Sequence, residues 1–121
     1  MVKKPLSDPP ACTANLLAMR DTLDILGGKW KLLILHYLMV RENDNNTFKK
    51  IEKDLNGISA KVLSKELKDL ETHQLITREE QKTKPITVAY TITDYGKSTK
   101  EVIDQLVKWG ATHRIKLLNQ E

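Results

Sequence analysis

The sequence predicts a mainly α fold with one small β hairpin, from three observations. Apolar residues recur every three or four positions through five separate stretches, the mark of amphipathic helices. Two of those stretches are short and are joined by a turn containing Gly57. Directly after them, Ile86, Val88, Tyr90 and Ile92 alternate with Thr87, Ala89, Thr91 and Thr93, the two-residue period of a strand.

Taken in order, residues 1–11 read as an arm, because three prolines and few apolar side chains do not sustain a helix. The arm is expected to reach residue 13. From residue 14 to 26, Leu16, Met19, Leu23 and Leu26 line one helical face, and Gly27-Gly28 stop it. Residues 29–40 form a second helix in which Trp30, Leu33, Ile34, Tyr37 and Leu38 share a face and Leu32 and Leu35 cover much of the rest. A helix apolar nearly all round belongs at the centre of the fold. Residues 42–46 are a polar loop. Phe48, Ile51 and Leu55 mark a short third helix, broken by Asn56-Gly57. Ser59 is a favourable N-cap for a fourth helix, residues 60–73, with Leu63, Leu67 and Leu70 facing inward.

A weaker strand, residues 75–81, precedes the alternating one, and Lys82-Thr83-Lys84-Pro85 link them with a basic tip. A long last helix is expected from residue 94 to 118, with Ile103, Leu106, Val107, Gly110 and Leu117 on one stripe. A helix-turn-helix followed at once by a hairpin is the order of a winged helix. The expected division is an arm at 1–13 and one winged helix-turn-helix domain at 14–121. Within that domain, 27–93 is the DNA-binding core and 94–121 the dimerisation helix.

Composition limits what such a domain does. Lysine and arginine number 20 against 16 acids, a net charge of +4, so a polyanion partner is permitted and the placement of charge decides. The chain has one cysteine, Cys12, which excludes an intrachain disulfide and a CxxC metal site. The start lacks the apolar stretch of a signal peptide, and the longest nearly apolar run, residues 32–40, is far short of a membrane span. The expectation is a cytoplasmic protein with no membrane partner. His36, His73 and His113 lie far apart without paired carboxylates, so no metal is expected. No nucleophile elbow, phosphate loop or dinucleotide fingerprint occurs, so neither an enzyme nor a cofactor is expected.

On the fourth helix, Ser59, Ala60, Lys61, Ser64, Lys65 and Lys68 fall outward, while Glu66, Asp69 and Glu71 lie off that face or toward its C-terminal end. Lysines and hydroxyls without a carboxylate suit a phosphate-lined groove, and a recognition helix presents its N-terminal turns to base edges. Lys82 and Lys84 place a second basic element after it. The first and last helices carry more apolar residues than a small core covers, which points to a dimer interface that includes Leu16, Leu106, Trp109 and Leu117. Cys12 lies close to a helix start, where amide dipoles favour a thiolate, and is the candidate thiol sensor.

Several segments resemble the HxlR-type bacterial transcriptional regulators. They are Gly27-Gly28-Lys29-Trp30-Lys31-Leu32-Leu33-Ile34-Leu35, Gly57-Ile58-Ser59-Ala60-Lys61-Val62-Leu63, Tyr90-Thr91-Ile92-Thr93-Asp94-Tyr95-Gly96 and Lys108-Trp109-Gly110. The resemblance implies a dimeric winged helix on operator DNA, repressing or activating, with several members answering oxidants or electrophiles through an N-terminal cysteine. Where that family usually places the cysteine, this chain has Leu17, and Cys12 stands five residues earlier. The expected function is therefore a homodimeric regulator on a palindromic double-stranded operator, its effector unknown. The alternative is a winged-helix protein-interaction module without DNA affinity.

Overall fold

The computed structural model describes residues 10–120. Six helices and one hairpin follow in the order α1 (Pro10–Leu26), α2 (Lys31–Val40), α3 (Phe48–Asp54), α4 (Ala60–Thr72), β1 (Ile76–Gln81), β2 (Thr87–Ile92), α5 (Asp94–Lys97) and α6 (Lys100–Leu118). Residues 1–9 of the expected arm lie outside the described residues. Residues 10–13, also assigned to the arm, belong to α1. Proline suits a first helical turn, where its missing N–H has no partner to lose, so Pro10 starts the helix rather than breaking it.

The core is single and is centred on α2. Ile34, Leu35 and Leu38 of α2 are fully enclosed by Ile51 of α3, Leu63, Leu67 and Leu70 of α4, Ile76, Tyr90 and Ile92 of the hairpin, and Ile103 of α6. Each such aliphatic side chain contributes about 1.5–3 kcal/mol by leaving water. The helix is nevertheless not buried all round, since Leu33 and His36 face solvent. Tyr37 is buried with a polar tip, and its hydroxyl donates to the Asp54 carboxylate at 2.6 Å. Burial first, and that bond second, push the phenol up to about 12.

Two side-chain caps start α3 and α4. The Thr47 hydroxyl accepts from the Lys50 amide at 3.2 Å, and the Ser59 hydroxyl accepts from the Val62 amide at 3.1 Å. Gly57 between them has φ of +97°, a left-handed backbone that glycine adopts without a Cβ clash. The strands pair antiparallel, Ile76 opposite Ile92 and Gln81 opposite Thr87. A third backbone segment adds to β2, because Thr47 bridges Ala89 and the Tyr90 amide donates to the Asn46 carbonyl at 2.9 Å. Asn46, expected in an open polar loop, is therefore buried, and its side-chain amide donates to the Arg41 carbonyl at 2.7 Å.

The long last helix is two helices. The Thr93 hydroxyl caps α5 by accepting from the Gly96 amide at 2.9 Å, and the chain turns at Ser98 and Thr99 before α6. Thr99 is buried and its hydroxyl donates to the Gly96 carbonyl at 2.7 Å. Gly96 lies against the backbone of Leu75, where a Cβ would stand 2.1 Å from the carbonyl oxygen. That approach leaves no room for a side chain at position 96.

The terminal helices stand away from this core. Among the described side chains of α1 only Ile25 and Leu26 are hydrophobics packed on it, and along α6 only Ile103 is buried.

Candidate nucleic-acid interface

The α3–turn–α4 pair and the hairpin each expose basic side chains. Ser59, Ala60, Lys61, Ser64, Lys65 and Lys68 are all exposed on α4 and its cap. Leu63, Leu67 and Leu70 occupy the opposite side and are buried, so the helix is amphipathic in the expected orientation. Lys82 and Lys84 are exposed in the link between β1 and β2. Its base is fixed to the α2–α3 loop, because the Gln81 amide donates to the Asn45 side-chain oxygen at 2.6 Å. Within the link, the Thr83 hydroxyl donates to the Pro85 carbonyl at 2.7 Å.

The three α4 lysines differ. Lys61 and Lys68 make no ion pair among the described residues. Lys65 folds back, its ammonium 3.1 Å from Asp69 and 3.8 Å from Glu66. The same two carboxylates receive Lys31 of α2, at 2.8 Å from Glu66 and 3.4 Å from Asp69. The Lys31 and Glu66 side chains are only 12% and 13% exposed, so this pair is well shielded. The hydrogen bond from Lys31 to Glu66, with the nearby Asp69 charge, raises the lysine above its ordinary value. The bond from Lys65, then that from Lys31, lowers Asp69. Two cations and two carboxylates thus fasten α4 to the central helix with no net charge. This cluster was not legible in the sequence, because Lys31 and Glu66 are 35 positions apart and share no periodic pattern.

Both terminal helices expose large apolar side chains. Leu16 of α1 and Leu106, Trp109 and Leu117 of α6 are all more than half exposed, and Met19, Leu23, Val107 and Ile115 accompany them. The Trp109 and His113 rings stack at 5.0 Å between centroids, which stiffens part of that surface. Cys12 is exposed and lies inside the first turns of α1 rather than before the helix. Among the described residues no cluster of three potential metal ligands occurs, and no helix is long and apolar enough to cross a membrane.

Residues 25–117 match the HxlR-like helix-turn-helix family. The chain belongs to that family. This HxlR-like chain is 34% identical over 99 residues to the HTH-type transcriptional regulator YdzF of Bacillus subtilis strain 168, covering 82% of itself and 89% of YdzF. Among solved structures, the redox regulator HypR in its reduced form superposes with a TM-score of 0.73 at 25% identity, over 84% of this chain and 98% of HypR. The reduced form of the transcriptional regulator YodB from B. subtilis superposes with a TM-score of 0.64 at 32% identity, over 76% of this chain and 87% of YodB. The HxlR-like chain is a helix-turn-helix, DNA-binding transcriptional regulator with a winged-helix fold, and the interaction-module alternative is set aside.

Proposed function

We propose that the chain binds operator DNA as a homodimer, with α4 of each protomer in successive major grooves and the hairpin along flanking phosphates. The carrying observation is the exposed, carboxylate-free start of α4, where Ser59, Ala60, Lys61 and Ser64 face outward on a helix held rigidly from behind. Lys61 and Lys68 take phosphates directly. Lys65 exchanges Asp69 for a phosphate, while Lys31 keeps Asp69 and Glu66 neutralised. Lys82 and Lys84 meet the backbone from the hairpin tip. The interface is the apolar surface of α1 and α6 that includes Leu16, Leu106, Trp109 and Leu117. An isologous pairing of these faces would set the two reading helices roughly 34 Å apart, one turn of duplex. The operator's position relative to a promoter then decides between repression and activation, in the cytoplasm where the duplex is.

The test is a gel shift with fragments of the protein's own locus. The double variant Lys61→Ala/Lys68→Ala is expected to bind weakly and to flatten the log–log salt dependence by about two units, one for each phosphate left without its lysine. A folded double variant with wild-type affinity and slope assigns the wrong face to DNA.

A second part of the proposal concerns the signal. Cys12 is exposed on a helix of the proposed interface, and the chain superposes on a regulator described as redox-responsive. An oxidised or alkylated Cys12 would strain that interface and alter the spacing of the two reading helices. Wild type is expected to lose DNA affinity under a mild thiol oxidant, and Cys12→Ser to keep it. Equal responses of the two proteins remove Cys12 as the sensor.

A further inference from the structure

Beside the outward face of α4, between that helix and the hairpin, opens a groove of about 320 Å³ lined by Ser64, Lys68, Glu71, Arg78 and Tyr90. Ser64 and Lys68 stand one helical turn apart on its α4 wall. Arg78 stands on β1 directly opposite Tyr90 of β2. Tyr90 is buried, so the guanidinium rises from the root of the hairpin and not from its tip. The groove holds two cations against one carboxylate. Among the described residues Glu71 lies within 4 Å of neither cation, and Arg78 pairs only with Glu80, at 3.6 Å. That distance is too long for a strong charge-assisted hydrogen bond. Two under-neutralised cations and a hydroxyl facing one opening call for an anion with several acceptor oxygens.

We propose that Arg78, with Lys68 and Ser64, clamps one backbone phosphodiester of the DNA strand that runs between the reading helix and the hairpin. This rests on the DNA-binding arrangement proposed above and adds to it a contact at the root of the wing. With α4 in the major groove and the hairpin tip on the flanking backbone, the intervening strand crosses over this groove. A guanidinium offers a phosphate two parallel N–H bonds where an ammonium offers a point charge, so Arg78 fixes the angle between duplex and domain. The contact positions the protein and carries no sequence information.

Salt-dependent binding to mixed-sequence duplex DNA and to an operator-containing fragment, followed by fluorescence anisotropy, tests this. Arg78→Gln and Lys68→Gln are each expected to weaken both complexes by the same factor, and the double variant, which leaves the shared phosphate without a cation, to reduce the log–log salt slope by about 0.9. Over a fourfold rise in salt, wild type should therefore lose about 3.5-fold more affinity than the double variant. Arg78→Lys should keep the wild-type slope. Wild-type affinity in a folded Arg78→Gln, or a double variant that binds as Lys68→Gln alone does, overturns the proposal. A loss confined to the operator fragment, with the slope unchanged, overturns it too and makes Arg78 a reader of bases. Failure of the wild type to bind either duplex would instead overturn the DNA-binding arrangement itself.

Discussion

Leu106→Glu is expected to weaken operator binding by at least about a hundredfold while leaving the winged-helix core intact. The two halves of that expectation have separate causes. Leu106 is 52% exposed in the single chain and Ile103 is the buried residue of α6, so a carboxylate at 106 leaves the core packing as it is. In a two-fold interface every substitution occurs twice, and two glutamates would be drawn out of water into the apolar surface around Leu16, Trp109 and Leu117. A separated protomer reads one half-site and forfeits the gain of binding two sites together, which commonly amounts to about 10²–10⁴. Sedimentation should show a 13.9 kDa-class species for the variant and twice that for wild type, with equal thermal unfolding of the core at low concentration. A variant that remains dimeric and binds DNA as wild type does would place the interface elsewhere.

Lys31→Met is the second large effect, about 2 kcal/mol of reduced stability together with weaker DNA binding. Removing one member of a buried ion pair strands the other, at about 3–5 kcal/mol when burial is complete. Here Glu66 keeps Lys65 at 3.8 Å and 13% of its surface in water, which brings the cost down. The effect reaches function because Lys31 is what joins the polar side of α4 to α2, and a tilt of α4 misaims Lys61 and Ser64. Lys31→Met combined with Glu66→Leu should recover most of the stability, since both charges then leave together.

The pH dependence follows from the directions of the two shifts. Lys31 is raised, so its contribution is complete below the ordinary lysine value of 10.5 and fades as pH climbs through the folded one. Asp69 is lowered, so its contribution is complete above 3.8 and fades as pH falls through the folded value. The stability gap between wild type and Lys31→Met should therefore be constant between about pH 5 and 9. Urea unfolding across that range measures it, and a gap that opens or closes near neutrality would mean that another group titrates in the cluster.

What could be read from the sequence was what repeats locally. The stripe of Leu63, Leu67 and Leu70, the strand around Tyr90 and the cap at Ser59 each depend on neighbours within a turn or a strand. The stripe and the cap stand where their patterns put them, while the alternation fails at Ile86, which precedes β2 and is exposed, and at Ala89, which is buried from the other face. The features that escaped depend on contacts outside any such period. The final helix breaks at Ser98 and Thr99, where the buried Thr99 hydroxyl donates to the Gly96 carbonyl, a contact that no apolar spacing marks. Asn46 is buried because β2 offers its backbone to a loop that is polar in composition. Lys65 belongs to the outward face by its wheel position, yet its ammonium is held by Asp69, a residue that same wheel sets aside. Arg78 had no periodic pattern to mark it, and its neighbours in the groove come from α4 and β2.

In the proposed arrangement two copies of this chain read one stretch of duplex. Footprinting of the wild-type protein on DNA flanking its own gene, with the mass of the complex determined in parallel, tests it most directly. The expected result is two related protected half-sites about one helical turn apart, occupied by two chains. A single protected half-site carrying one chain, or no protection at concentrations that saturate mixed-sequence DNA, would contradict it.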